Sequence, residues 1–120
     1  MNVLLVEDDH FLVELLEKKF DESGVNVFVA SAAGEALTIL EKEKIEAILL
    51  DIILPDTDGF VFLKELKADP KFKNIPVIII SNLGQKEEVQ KGLDAGAEFY
   101  LVKANTTTDE IVSILKSVVI

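Results

Sequence analysis

Apolar residues in this chain follow two alternating patterns. The first is a short run with little polar interruption: Val3-Leu4-Leu5-Val6, then Val25 to Ala30, Ala47 to Leu50, Pro76 to Ser81, and Glu98 to Lys103. Runs of this length, rich in β-branched residues and bounded by polar or turn residues, predict strands buried on both faces. Pro76 is tolerated because it opens its run, where no ladder hydrogen bond is lost. The second pattern has helical spacing: Phe11, Leu12, Leu15, Leu16 and Phe20; Ala36, Leu37 and Leu40 within 32–43; Phe60, Phe62, Leu63 and Leu66; and Ile111, Val112, Ile114 and Leu115 within 109–119. A more polar helix is expected over 85–95, ending at Gly96. Ser23-Gly24 stops the first helix, glycine being suited to a left-handed cap. Asp69-Pro70 stops the third, because the residue before proline disfavours the helical region.

The order is therefore strand then helix, repeated along the chain. Alternation of this kind predicts an α/β protein with a parallel sheet, right-handed crossovers and helices on both faces. A length of 120 residues suits one compact domain, and 1–120 shows no linker or low-complexity break. No apolar run approaches the ~20 residues a membrane-spanning helix needs. The start, Met1-Asn2-Val3-Leu4, lacks a basic signal-peptide region, so by elimination a cytoplasmic protein with no membrane partner is expected. The absence of cysteine excludes disulfides and thiolate metal sites.

Charge changes the picture. The net charge is −10, and every basic residue is lysine. Such a surface repels a phosphate backbone, so direct nucleic-acid binding is not expected. One use for excess carboxylates is to crowd several around a divalent cation.

Their positions support that use. The first strand is followed by Glu7-Asp8-Asp9, the third by Asp51, the fourth ends in Ser81 and the fifth in Lys103. In a parallel sheet these ends share one edge, the edge where open α/β sheets bind ligands. Converging carboxylates favour a hard cation such as Mg²⁺. An aspartate can serve as nucleophile and form an acyl phosphate. Phosphoryl transfer needs mainly positioning and neutralised oxygens, which Mg²⁺, Lys103 and the Ser81 hydroxyl would supply around Asp51.

With these residues in place, the whole chain resembles the receiver domain of two-component response regulators, of the chemotaxis-regulator type. Four motifs carry the resemblance: Val6-Glu7-Asp8, Leu50-Asp51-Ile52-Ile53-Leu54-Pro55 with Asp58-Gly59, Ile80-Ser81, and Tyr100-Leu101-Val102-Lys103. The resemblance implies a flavodoxin-like (βα)5 sandwich with strand order 2-1-3-4-5. It implies Asp51 as phosphoacceptor, and Glu7, Asp8, Asp51 and the Ile53 carbonyl as the Mg²⁺ site. Ser81 and Lys103 would contact phosphate, and Ser81 and Tyr100 would form the switch. Phosphate would come from a sensor histidine kinase or a histidine phosphotransfer protein. A downstream effector protein or domain would read the face of the fourth helix, fifth strand and fifth helix. The chain would be a monomer, or a weak dimer when phosphorylated.

The chain departs from the family pattern at Ala104, where the family usually has a proline after a cis peptide. A cis bond before a non-proline residue costs ~2.5–4 kcal/mol, so a trans peptide is expected. Ile53 and Leu83, both apolar, flank the expected site and cannot orient an attacking water, so self-dephosphorylation should be slow.

Each signal taken singly has an ordinary structural meaning. Glu7-Asp8-Asp9 could open a helix, with Asp9 as cap; Asp58 could cap the next helix; Asp56 is a loop residue; and His10, the sole histidine, is expected to be exposed. Lone Ser81, Tyr100 or Lys103 side chains more often satisfy a strand end, fill a rim or face water. Four coincident strand ends outweigh these meanings. A flavin-nucleotide binder of the same topology would need a phosphate cradle after the first strand, where Glu7-Asp8-Asp9 repels phosphate. A dinucleotide site would need G-x-G-x-x-G, which is absent. An aspartyl phosphatase would usually place a second carboxylate at Ile53. A receiver-like scaffold that no longer accepts phosphate is the remaining alternative.

Overall fold

The computed structural model describes residues 1–119. Its elements are β1 (Asn2–Val6), α1 (His10–Glu22), β2 (Asn26–Ala30), α2 (Ala33–Lys42), β3 (Ala47–Leu50), α3 (Gly59–Ala68), β4 (Val77–Ser81), α4 (Lys86–Asp94), β5 (Phe99–Val102) and α5 (Thr108–Val118). The five strands form one parallel sheet in the order β2-β1-β3-β4-β5, as expected.

Side chains alternate across the sheet and build a core on each face. Val3 and Leu5 pack with Val13, Leu16 and Phe20 of α1 and with Ile111 and Leu115 of α5. Leu4 and Val6 face the other way, onto Ala36 and Leu40 of α2 and Phe62, Leu63 and Leu66 of α3. Burying an aliphatic or aromatic side chain of this kind contributes roughly 1.5–3 kcal/mol. A slip of one residue in any strand would exchange the two cores, so the register is strongly specified.

That register brings the polar ends to one edge. Val6 pairs with Leu50, Leu50 with Ile79, and Ser81 with Val102. The Asp51 amide still donates to the Val6 carbonyl (2.9 Å), and the Glu7 amide to Ala30 (2.9 Å). The residues just past β1 and β3 are thus held by the ladder itself.

Caps set the helix starts. Asp9 accepts from the Phe11 and Leu12 amides, and Asp58 from the Phe60 amide at 2.7 Å, both as expected. Asp56 does more than its sequence context suggests. Ala32, before α2, has no capping side chain, and Asp56 reaches across to accept from Ala33 and Gly34, both at 3.0 Å. These bonds hold its carboxyl below the usual aspartate range. The loop after β3 is therefore pinned to α2. Gly59 also shapes this loop: a Cβ there would lie 2.5 Å from the Ile52 Cα, so only glycine permits the approach.

The fifth strand ends one residue earlier than expected. Lys103 opens a 3-10 turn, Lys103–Asn105, closed by the Thr106 hydroxyl donating to the Val102 carbonyl (2.9 Å). No described peptide is cis, so the Lys103–Ala104 bond is trans, as its cost leads one to expect.

Candidate functional site

Glu7, Asp8 and Asp51 each present a carboxylate oxygen, and these oxygens lie within 4.8 Å of one another. Glu7 is 1% exposed and Asp51 is 4% exposed, whereas Asp8 is open to solvent. Two acids thus form the floor of the site and one its mouth.

Local backbone geometry orients the floor. Glu7 Oε2 accepts from the Asp8 and Asp9 amides, both at 3.1 Å. Asp51 Oδ1 accepts from the Ile53 amide at 3.1 Å. Lys103 closes the group, its Nζ lying 2.7 Å from Glu7 Oε1 and 3.0 Å from Asp51 Oδ2. The contact to Asp51 is a well-formed hydrogen bond. That to Glu7 is close in distance but poorly directed, and Glu7 Oε1 has no hydrogen-bond partner.

One ammonium therefore faces two buried carboxylates. Burial pushes Glu7 up to about 7, which Lys103 only partly opposes and the neighbouring Asp51 reinforces. Burial pulls Lys103 down, but its close contact with Glu7, its bond to Asp51 and the charges of both acids outweigh this, leaving it above the ordinary lysine value. Two buried carboxylates share one ammonium, and Glu7 Oε1 has only the poorly directed Lys103 contact. An all-oxygen donor set of this kind fits a hard divalent cation.

The expected switch residues form a second group around Leu83. Ser81 is fully buried, and its Oγ accepts from the Leu83 amide at 3.1 Å. The Tyr100 hydroxyl donates to the Leu83 carbonyl. Its half-buried ring packs on the core formed by β1, β3, α2 and α3. Neither side chain bonds to Asp51. Ile53 is 56% exposed, and Leu83 is half-buried. Both line a groove between the loop after β3 and α4, with Pro55, Phe60 and Lys91. His10 is exposed and is not one of the clustered acidic group.

The response regulator receiver domain family matches residues 3–116, and the chain belongs to that family of two-component signalling modules. Among solved structures, the receiver domain of the Francisella response regulator 1452 is similar with a TM-score of 0.90 and 32% identity, covering 98% of this chain and 94% of that one. The receiver domain of sensor histidine kinase PA1611 from Pseudomonas aeruginosa PAO1, described with magnesium coordinated in its active-site cleft, has a TM-score of 0.86 and 26% identity, covering 98% of this chain and 95% of its own. The response regulator PleD of Caulobacter vibrioides is 35% identical over 101 residues, which are 84% of this chain and 22% of PleD. This chain thus corresponds to a part of that relative. No described helix is long and apolar enough to cross a membrane.

Proposed function

We propose that Asp51 accepts a phosphoryl group from a phosphohistidine, and that 1–120 acts as one receiver unit. The observation that carries this is the meeting of Glu7, Asp8, Asp51 and Lys103 at one sheet edge. A carboxylate oxygen of Asp51 would attack phosphorus as the phosphorus–nitrogen bond to the donor imidazole breaks, and that nitrogen keeps the electron pair. Donors of this kind are a sensor histidine kinase or a histidine phosphotransfer protein. The Ile53 amide and Lys103 hold Asp51 in place, and Lys103 moves with little displacement from carboxylate to phosphoryl oxygen.

Glu7, Asp8, Asp51 and the Ile53 carbonyl would hold Mg²⁺, which when bound neutralises phosphoryl oxygens. Ser81 would exchange its bond with the Leu83 amide for one to a phosphoryl oxygen, drawing on the loop that also carries the Tyr100 partner. The face of α4, β5 and α5 then presents a different surface to a downstream effector. Oligomerisation, where it occurs, would be weak dimerisation on phosphorylation. The buried Glu7 and Asp51, with Asp8 beside them at the mouth, favour phosphoacceptance over a silent scaffold, because a scaffold has no need to bury one acid beside another.

The test is incubation with Mg²⁺ and a small phosphodonor, followed by peptide mass analysis. One phosphoryl group on the peptide carrying Asp51, lost in Asp51→Asn, is expected. No uptake, or uptake elsewhere, would favour the scaffold. Slow hydrolysis is also expected, because Ile53 and Leu83 offer nothing to orient water. Label should leave the wild type more slowly than an Ile53→Asn, Leu83→Glu double variant; faster loss from the wild type refutes this.

A further inference from the structure

Helix α4 buries one residue, and that residue is a glycine. Glycine inside a helix is unfavourable relative to alanine, since it exposes backbone and loses more conformational freedom. Gly92 therefore needs a packing reason, and its surroundings supply one. A Cβ at Gly92 would lie 2.7 Å from Tyr100 Cδ2, 3.1 Å from its Cε2 and 2.6 Å from Ile79 Cδ1. The Ile79 methyl is the end of a rotatable side chain and can move aside. The Tyr100 ring is rigid, and its hydroxyl is tied to the Leu83 carbonyl on the loop after β4.

From this geometry we infer that Gly92 is a positioning residue for Tyr100: its missing side chain is the space into which the ring seats against β4. The bond from its hydroxyl to the Leu83 carbonyl holds the ring there. A switch that draws on Ser81 and the Leu83 loop would then pull on the same residue whose carbonyl holds Tyr100. That consequence rests on the switch roles proposed above; the packing relation between Gly92 and Tyr100 does not. Burial also pushes the Tyr100 hydroxyl above its ordinary value, consistent with a ring withdrawn from water.

The chain has one tyrosine and no tryptophan, so tyrosine emission reports Tyr100 alone. Iodide quenching of that emission should steepen in Gly92→Ala, moving from the wild-type slope toward that of the urea-unfolded chain. The unfolding midpoint supplies an independent readout. Gly92→Ala should lower it in the wild type and raise it in a Tyr100→Ala background, where helix propensity acts without the ring. If Gly92→Ala alone fails to fold, recovery of folding in the double variant is the expected result. An unchanged quenching slope, or an equal loss of stability in both backgrounds, would overturn the inference. Failure of Asp51 to take up phosphate is scored separately by mass and leaves the comparison between variants intact.

Discussion

Lys103→Met is expected to destabilise the metal-free protein by roughly 3–5 kcal/mol at pH 8, the range for removing one partner of a buried ion pair. Methionine keeps much of the lysine stem, so the loss is chiefly of charge. The side chains of Lys103, Glu7 and Asp51 are 16%, 0% and 6% exposed. Water cannot replace the ammonium for either carboxylate. The two acids would face each other across a low-dielectric floor, with Asp8 adding a third charge at the mouth. The cheapest relief is protonation of Glu7, which already sits near pH 7 in the wild type. The penalty should therefore shrink as pH falls toward 5, and added Mg²⁺ should restore part of the stability at pH 8. Urea unfolding at both pH values, with and without Mg²⁺, measures this. A penalty independent of both pH and Mg²⁺ would show that Lys103 stabilises by packing alone.

Wild-type stability in the absence of metal should also depend on Glu7. The folded state holds this acid at about 7, against 4.5 for the ordinary side chain. Between those values the folded protein binds more protons than the unfolded chain, so stability falls as pH rises. The contribution is fully present below about 4.5 and lost as pH passes 7. At about 1.4 kcal/mol per pH unit, the loss is on the order of 3 kcal/mol. Lys103 titrates in a different window, its contribution being lost only above the ordinary lysine range. Asp56 acts at the acid end, its contribution lost as pH falls below the aspartate range. A Glu7→Gln variant should flatten the profile between pH 4.5 and 7. Mg²⁺ should stabilise increasingly as pH rises, because cation and proton compete for the same oxygens. A wild-type profile that rises across this window in EDTA would refute the assignment of a raised Glu7.

Much of this was legible in the linear chain. Continuous apolar runs can be buried only in a sheet covered on both faces, and polar residues at their ends must then lie along one edge. That reasoning places Glu7, Asp51, Ser81 and Lys103 on one edge without coordinates, and the Asp9 and Asp58 caps follow from local spacing. The reach of Asp56 to α2 was not legible, because its partners are distant in sequence and backbone amides carry no sequence signal. Nor was the 3-10 turn at Lys103, which depends on a side-chain bond from Thr106 to Val102.

Local pattern settles which residues can be strands, helices and strand-end polar groups, because periodicity and capping act over a few neighbours. It also fixes the net charge and the lone tyrosine. Tertiary packing alone decides that a single ammonium serves two buried acids, that its contact with Glu7 is poorly directed, and that Tyr100 rests against Gly92. Burial and distance between remote segments govern these relations, and neither exists until the sheet and helices close around one another.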